Sequence, residues 1–417
     1  MARIEPASTT VGASPGARAF WTYWTASATS TLGTGVTTVA LPLVAVLVLD
    51  AGPSQMGVLA AATYVAWLVL GLPAGALVAR SRVRGIQVAA DLVRAAAIAS
   101  VPVAWWLGAL TFGHLVGVAL VISFASVLFD TANTTYFVSV VPKDRIQGRN
   151  SLMSATHGVG ELAGPSLGGL LVQAVGAVAA LLVDVVSYIA SAILLRTLPE
   201  QPTATEAASD TPIRTLIAEG WRYVSRHPIV GPCMWAATLI NVVCGGQLAL
   251  FTLYLVRELH APAGLVGLLL AAAAVGSILG AGAVPWLSRR IGSARLAVVS
   301  SFVSVAGAAV IPLGAGVAGM IAFAVGSAIF SMGVVWLSTA TRTYRFVSTP
   351  PELLSRVMAT VRFVSWGGIP VGGLLAGLVA DAVGLRAGIL ALAVATLGAP
   401  LVLLASRVRG LRDFPEV

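Results

Sequence analysis

Charge is what this sequence has least of. Asp, Glu, Lys and Arg make up 10% of its 417 residues, against 58% hydrophobic residues. A water-soluble domain carries about a quarter charged residues, so a mean hydropathy of +0.93 excludes a soluble enzyme or binding module and implies an integral membrane protein. Cysteine is scarce: Cys233 and Cys244 stand alone. They fall in one predicted helix, where eleven residues at ~1.5 Å each place them about 16 Å apart, beyond disulfide reach. They read as small apolar core residues and say nothing of redox compartment. Histidine is limited to His114, His157, His227 and His260, scattered and without an HExxH pattern. No metal site or membrane metalloenzyme is therefore expected. No GxxxxGK[ST] occurs, which leaves an ion gradient or the substrate's own gradient as the energy source. No cofactor is implied. The opening MARIEPASTTVGASPGAR lacks the short apolar core and cleavage site of a signal peptide, so the first helix is expected to do the targeting. Lysine is nearly absent too: Lys143 is the one lysine among 25 basic residues. The net charge of +9 needs no nucleic acid, because basic residues gather in the loops on one side of a membrane.

What is present is a series of apolar runs about 20 residues long, the length that crosses a bilayer. Twelve are predicted: 20–49, 56–79, 86–108, 113–139, 150–174, 177–198, 229–257, 263–288, 294–314, 317–345, 354–380 and 385–406. Their connections alternate in charge. Arg80, Arg82 and Arg84 follow the second run; Lys143, Arg145 and Arg149 follow the fourth; Arg289, Arg290 and Arg295 follow the eighth. Arg342, Arg345 and Arg356 surround the tenth connection, and Arg407, Arg409 and Arg412 end the chain. The opposite connections hold little that is basic beyond Arg257 and Arg386. The positive-inside rule places both termini and the central loop in the cytoplasm.

The expected organisation is a cytoplasmic tail at 1–19, a six-helix bundle at 20–198, a cytoplasmic linker at 199–228, a second six-helix bundle at 229–406 and a tail at 407–417. The first part of the linker, PEQPTATEAASDTP, is polar and rich in breakers, as a disordered segment is. Its second part, Ile213 to Arg226, puts Ile213, Leu216, Ile217, Trp221 and Val224 on one helical face, which predicts an amphipathic helix at the cytoplasmic surface. The halves resemble each other. Tyr136 and Tyr344 each stand six residues before Pro142 and Pro350, and GPSLGGLL at 164–171 answers IPVGGLLAG at 369–377. Six helices repeated once suggest two bundles about a pseudo-two-fold axis, with substrate between them near the midplane.

The stretch Gly160–Leu171 concentrates these signals. Gly160, Gly164 and Gly168 recur at four-residue spacing on one face, with Gly169 beside them. A small-residue face lets another helix backbone approach closely. Pro165 removes a backbone donor and favours a bend. His157 and Glu161, one turn apart, place an ionisable pair on the same side.

These residues carry a resemblance to the major facilitator superfamily. GPSLGG on the fifth helix looks like that superfamily's antiporter motif, and GALVARSRVRG at 75–85 looks like its loop motif between the second and third helices. The acidic place before Arg80 in that loop is held here by Ala79, and Asp91 with Arg94 on the third helix offers a substitute pair. FDTANTTYFVSVVPKDRIQGRNSL ahead of GPSLGG, then LLVDVVSYIASA, is similar to the actinobacterial branch of drug and siderophore exporters. The resemblance covers essentially the whole chain. It implies a twelve-helix, all-α secondary transporter for export of small molecules.

An ionisable group at the centre of a membrane span costs about 2.5–3.5 kcal/mol on insertion scales, so each one calls for an account. Asp130, Glu161 and His157 are the candidates for proton coupling, since a carboxylate alternately wetted and dried can load and release protons. Arg80, Asp91, Arg94, Arg289 and Arg290 are candidate gating or structural charges. The middle of the fourth helix lacks the arginine that many antiporters of the superfamily carry there. The first helix is polar and glycine-rich between Ser27 and Thr38, which suggests that Thr34 and Thr38 line an aqueous cavity. Asn133, Asn241, Gln247 and Trp366 are the other cavity candidates, Trp366 as an aromatic wall for an amphiphilic or cationic ligand.

The expectation is thus a monomeric, multi-pass exporter in the cytoplasmic membrane, exchanging protons for a lipophilic or amphiphilic compound by alternating access. Its partners are a small-molecule substrate, protons and the lipid bilayer. Proton-coupled uptake, a uniporter, and a channel or transport-inactive sensor remain as alternatives.

Overall fold

A computed structural model describes residues 15–71, 73–79, 81–141, 145–200 and 213–415. Arg80, Pro142, Lys143 and residues 201–212 of the linker lie outside the described residues. In chain order the helices are α1 (Pro15–Leu47), α2 (Pro53–Leu70), α3 (Pro73–Ala79), α4 (Val83–Trp106), α5 (Phe112–Val140), α6 (Ile146–Val175) and α7 (Ala177–Arg196). The linker helix is α8 (Ile213–Arg226). The second half holds α9 (Val230–Arg257), α10 (Ala263–Ile291), α11 (Ser293–Val310), α12 (Gly316–Ser348), α13 (Pro351–Val383), α14 (Leu385–Thr396) and α15 (Gly398–Leu404). No strand occurs among the described residues.

The expected second span is divided into α2 and α3 just ahead of Pro73, which lacks an N–H and disfavours helix in the residue before it. The expected last span is divided at Leu397 into α14 and α15. Gly176 and Gly384 each join two helices with φ of 86° and 92°, a region where a side chain is strained. They occupy matching places in the two halves: Gly176 between α6 and α7, Gly384 between α13 and α14.

Among the described residues, eleven helices are long and apolar enough to cross a membrane. Of the twelve expected spans, α6 is the one absent from that set. Its thirty residues include Asn150, Ser151, Ser154, His157 and Glu161, which dilute its hydropathy. It packs between α1 and α10. At about 100° per residue, its exposed Val159 and Leu170 lie across the helix from Glu161.

The packing is pseudo-symmetric. Within the first bundle α1 packs on α6 and α7, and α4 on α5 and α7; within the second α9 packs on α13 and α14, and α12 on α10 and α11. The bundles are joined chiefly by α2 with α13 and α6 with α10, with α2 also packing on α9. The glycine pairs after Pro165 and Pro370 divide the labour. A Cβ on Gly168 would stand 3.0 Å from Val36 Cα of α1, and one on Gly372 would stand 1.8 Å from Val242 O of α9. The next glycine in each pair reaches across to the other bundle, Gly169 to Gly267 of α10 and Gly373 to Gly57 of α2. These backbone approaches are the close packing that small residues permit where water no longer drives association.

The linker helix α8 docks on α13. Glu219 pairs with Arg356, Tyr223 donates to the Ser348 carbonyl at 3.0 Å, and Gly220 lies against the Arg356 backbone.

Candidate functional site

The bundles meet at the end that carries few arginines. There Arg257, at the end of α9, donates to Asp50 Oδ1 at 2.5 Å and to the Ala51 carbonyl at 3.0 Å. The Ser54 N–H donates to Asp381 Oδ2 at 3.2 Å, and the Gly264 N–H to Gln173 Oε1 at 2.8 Å. With the Gly169–Gly267 and Gly57–Gly373 contacts, these bonds form a seal.

Two cavities lie on the arginine-rich side of that seal. One, of about 350 Å³, belongs to the first bundle and is lined by Thr34, Thr38, Arg94, Asp130, Asn133, His157, Gly160, Glu161 and Pro165, among others. The other, of about 630 Å³, is lined mainly by the second bundle, with Trp67, Asn241, Ser338, Arg342, Arg345, Arg362 and Trp366. They face each other: Asp130 lies within electrostatic reach of Arg94, of His157 and, from the other bundle, of Arg362.

Asp130, His157 and Glu161 are all exposed and line the smaller cavity. No ion pair within 4 Å joins His157 to Glu161 among the described residues, so the expected pair is two separate lining groups. Tyr64 of α2 is instead within electrostatic reach of Glu161.

The glycine stretch shapes this wall. Gly160 packs on Thr31 and Gly164 on Gly35, where a Cβ would stand 2.7 Å from the Gly35 Cα. That contact brings α6 onto the polar face of α1. On that face Thr34 shares a 2.9 Å hydrogen bond with Tyr188, and the Thr38 hydroxyl donates to the Thr34 carbonyl at 2.8 Å. Asn133 ties three helices together: Tyr23 of α1 donates to its side chain and Gln87 of α4 does so at 3.3 Å.

Asp91 and Arg94 pair on α4 and are buried. Arg94 also stacks between Phe129 and Tyr188, its guanidinium carbon 4.3 Å from each ring centroid, and reaches the smaller cavity. The fourth predicted span lacks an arginine, and the buried arginine at this cavity comes from the third, as Arg94 of α4. Asp184 is fully buried and satisfied, accepting from Thr37 at 2.5 Å and from Ser187 at 2.9 Å. Arg289 and Arg290 end α10 as exposed residues, away from both cavities, and Gln247 lines neither.

Arg362 was not among the sequence candidates. Its guanidinium carbon lies 4.5 Å from the Trp67 ring centroid and 4.7 Å from that of Trp366. The two rings meet edge to face at 5.1 Å. The signal for it was an arginine well inside an apolar run, with a tryptophan one turn later.

Comparison with known proteins agrees with this architecture. The family model described as transmembrane secretion effector, of the major facilitator type, matches residues 12–414. The multidrug efflux pump Tap of Mycolicibacterium fortuitum is 27% identical over 395 residues, covering 88% of this chain and 90% of that protein. Tap of Mycobacterium tuberculosis is 27% identical over 392 residues, 87% of each chain. Among solved structures, the nucleoside transporter NupG superposes with a TM-score of 0.73 at 13% identity, covering 93% of this chain and 98% of that one. A bacterial homolog of the human lysosomal transporter Spinster, inward-facing and unoccupied, superposes with a TM-score of 0.74 at 14% identity, covering 95% and 98%. At those identities the structural likeness is one of fold.

Proposed function

The chain belongs to the transmembrane secretion effectors of the major facilitator superfamily, and on that premise we propose that it exports a small lipophilic or amphiphilic compound by proton antiport. In this reading α6 is the twelfth span, the arginine-rich connections and both termini are cytoplasmic, and the protein works as a monomer in the cytoplasmic membrane. Residues 20–198 and 229–406 act as the two rocking bundles, with 199–228 as their tether.

The observation that carries the reading is a pair of facing cavities behind a seal, with Asp130, Glu161 and His157 exposed in one of them. With the arginine-rich end in the cytoplasm, this is the state that loads cargo from inside. Rocking of the bundles about the α2–α13 and α6–α10 contacts opens the seal and carries Asp130 and Glu161 from one aqueous side to the other. Each carboxylate takes a proton outside and releases it inside, while the cargo travels the opposite way. The efflux pumps among the relatives support the direction.

The test is release of protons from energised inverted vesicles, followed with a pH-sensitive dye, on addition of candidate drugs and siderophore-like compounds. Wild type should release protons, and Glu161→Gln or Asp130→Asn should not. Accumulation of labelled compound without proton movement would overturn proton coupling and leave facilitated or other-ion transport.

A further inference from the structure

The second bundle presents a wall that is basic and aromatic at once. Arg342 and Arg345 of α12 and Arg362 of α13 line the larger cavity with Trp67 and Trp366, and no acidic side chain lines it among the described residues. None of the three arginines makes an ion pair within 4 Å among the described residues. Arg342 and Arg345 lie in the last turns of α12 and fit the basic flank of a membrane helix. Arg362 does not fit that pattern: it stands eleven residues into α13, about 17 Å past its start, where a cation is expensive, and its counter-charge Asp130 acts across the cavity without an ion pair within 4 Å.

The tryptophans decide what sign of ligand suits this wall. Aromatic faces attract cations, but the faces of Trp67 and Trp366 already hold the Arg362 guanidinium. A cationic ligand entering here would meet three arginines, one of them already seated on a face of each tryptophan. The carboxylates of the facing cavity, Asp130 and Glu161, are two against those three, so the two cavities taken together keep an excess of positive charge even with both ionised.

We propose that this wall is a binding site for an amphiphilic anion. The arginines hold a carboxylate, sulfonate or phosphate group, which their planar forks match in geometry, and the apolar body lies against Trp67, Trp366 and Phe363. That the anion is cargo rests on the export reading; that it binds does not.

The test uses the purified full chain and three probes on one pyrene body: a sulfonate, a trimethylammonium and an uncharged alcohol. Binding is measured by fluorescence titration in phosphatidylcholine nanodiscs, then repeated with phosphatidylglycerol present. The sulfonate should bind at least tenfold more tightly than either other probe. Arg362→Gln should remove that preference, Arg362→Lys should keep part of it, and Arg342→Gln, exposed at the cavity wall, should weaken it without disturbing packing. Equal or tighter binding of the cation, or a preference untouched by both glutamine variants, overturns the proposal. Loss of sulfonate binding in phosphatidylglycerol assigns the arginines to lipid headgroups and overturns the cargo assignment. The same probes in inverted vesicles separate the two readings. Binding of the sulfonate without its movement sinks export and spares the site, while movement of the cation with no sulfonate binding spares export and sinks the site.

Discussion

Gly169 of α6 and Gly267 of α10 meet backbone to backbone, so that a Cβ on either would stand within 2.9 Å of the other's Cα or N. The halves of the chain repeat the arrangement with Gly57 of α2 and Gly373 of α13, where a Cβ on Gly57 would stand 2.5 Å from the Gly373 carbonyl oxygen. Each pair is a contact between bundles on the sealed side of the cavities. Neither is needed to hold a bundle together internally, so under the proposed export cycle they are the contacts expected to alternate.

A valine at Gly169 or Gly267 should therefore oppose closure of the seal while leaving each bundle folded. In a background without Cys233 and Cys244, Ser54→Cys and Asp381→Cys report closure, since the Ser54 N–H and Asp381 carboxylate are 3.2 Å apart. The cross-link should form readily with both glycines present and fall at least tenfold with Gly169→Val. Undiminished cross-linking with normal transport would show that the α6–α10 contact plays no part in closure.

The Arg257–Asp50 pair crosses the same seal but is a different kind of contact. Asp50 is 94% exposed, and exposed pairs contribute about 0–1 kcal/mol. Arg257→Gln should shift the balance of closed and open states by no more than about fivefold, less at high salt. Accessibility of a cysteine placed at Ser54 measures it. Loss of all closure would mean the bond is far stronger than its exposure implies.

Asp91 and Arg94 are buried together, and removing one partner of such a pair strands the other. Asp91→Leu should destabilise the protein by about 3 kcal/mol, toward the lower end of the usual range for a broken buried pair, because Asp130 and Asp184 also act on Arg94. The double variant Asp91→Leu with Arg94→Met should recover most of that loss, since two apolar side chains need no counter-charge. Thermal unfolding in detergent ranks the three proteins. A double variant less stable than the single one would show that Arg94 stacking on Phe129 and Tyr188 outweighs its charge.

Residues whose meaning is local were the legible ones. The four-residue glycine spacing on α6, the amphipathic pattern of Ile213–Arg226 and the polar face of α1 all declare themselves within a few turns of one helix. Arg362 was hidden because its partner Trp67 comes from the other half of the chain, 295 positions away by sequence number. Arg94 was read as a gating or structural partner of Asp91, and its place at the cavity between Phe129 of α5 and Tyr188 of α7 depends on helices distant in sequence. Gln247 shows the opposite error: an amide at suitable depth on α9 faces neither cavity, because depth along a helix does not fix which side of it points inward.

His227 joins the linker to the second bundle and sits ahead of the membrane-crossing part of α9. Its Nδ1 accepts from the Ile229 N–H at 3.2 Å and the Val230 N–H at 3.1 Å, satisfying donors that a helix start leaves open. Partial burial lowers its pKa below the ordinary 6.5. Protonation places a hydrogen on Nδ1 and ends both bonds. The unfolded chain takes up the proton more readily than the folded one, so the stabilisation is complete above pH 6.5 and is lost as pH falls below it. The loss should be about 1 kcal/mol, the size of a missing N-cap. Thermal unfolding between pH 7.5 and 5.5 should show that decline for wild type relative to His227→Asn, whose side-chain oxygen caps without titrating. His227→Ala should be less stable than wild type at pH 7.5 and converge with it as the pH falls. Parallel pH profiles for wild type and His227→Asn would show that the imidazole is not the cap.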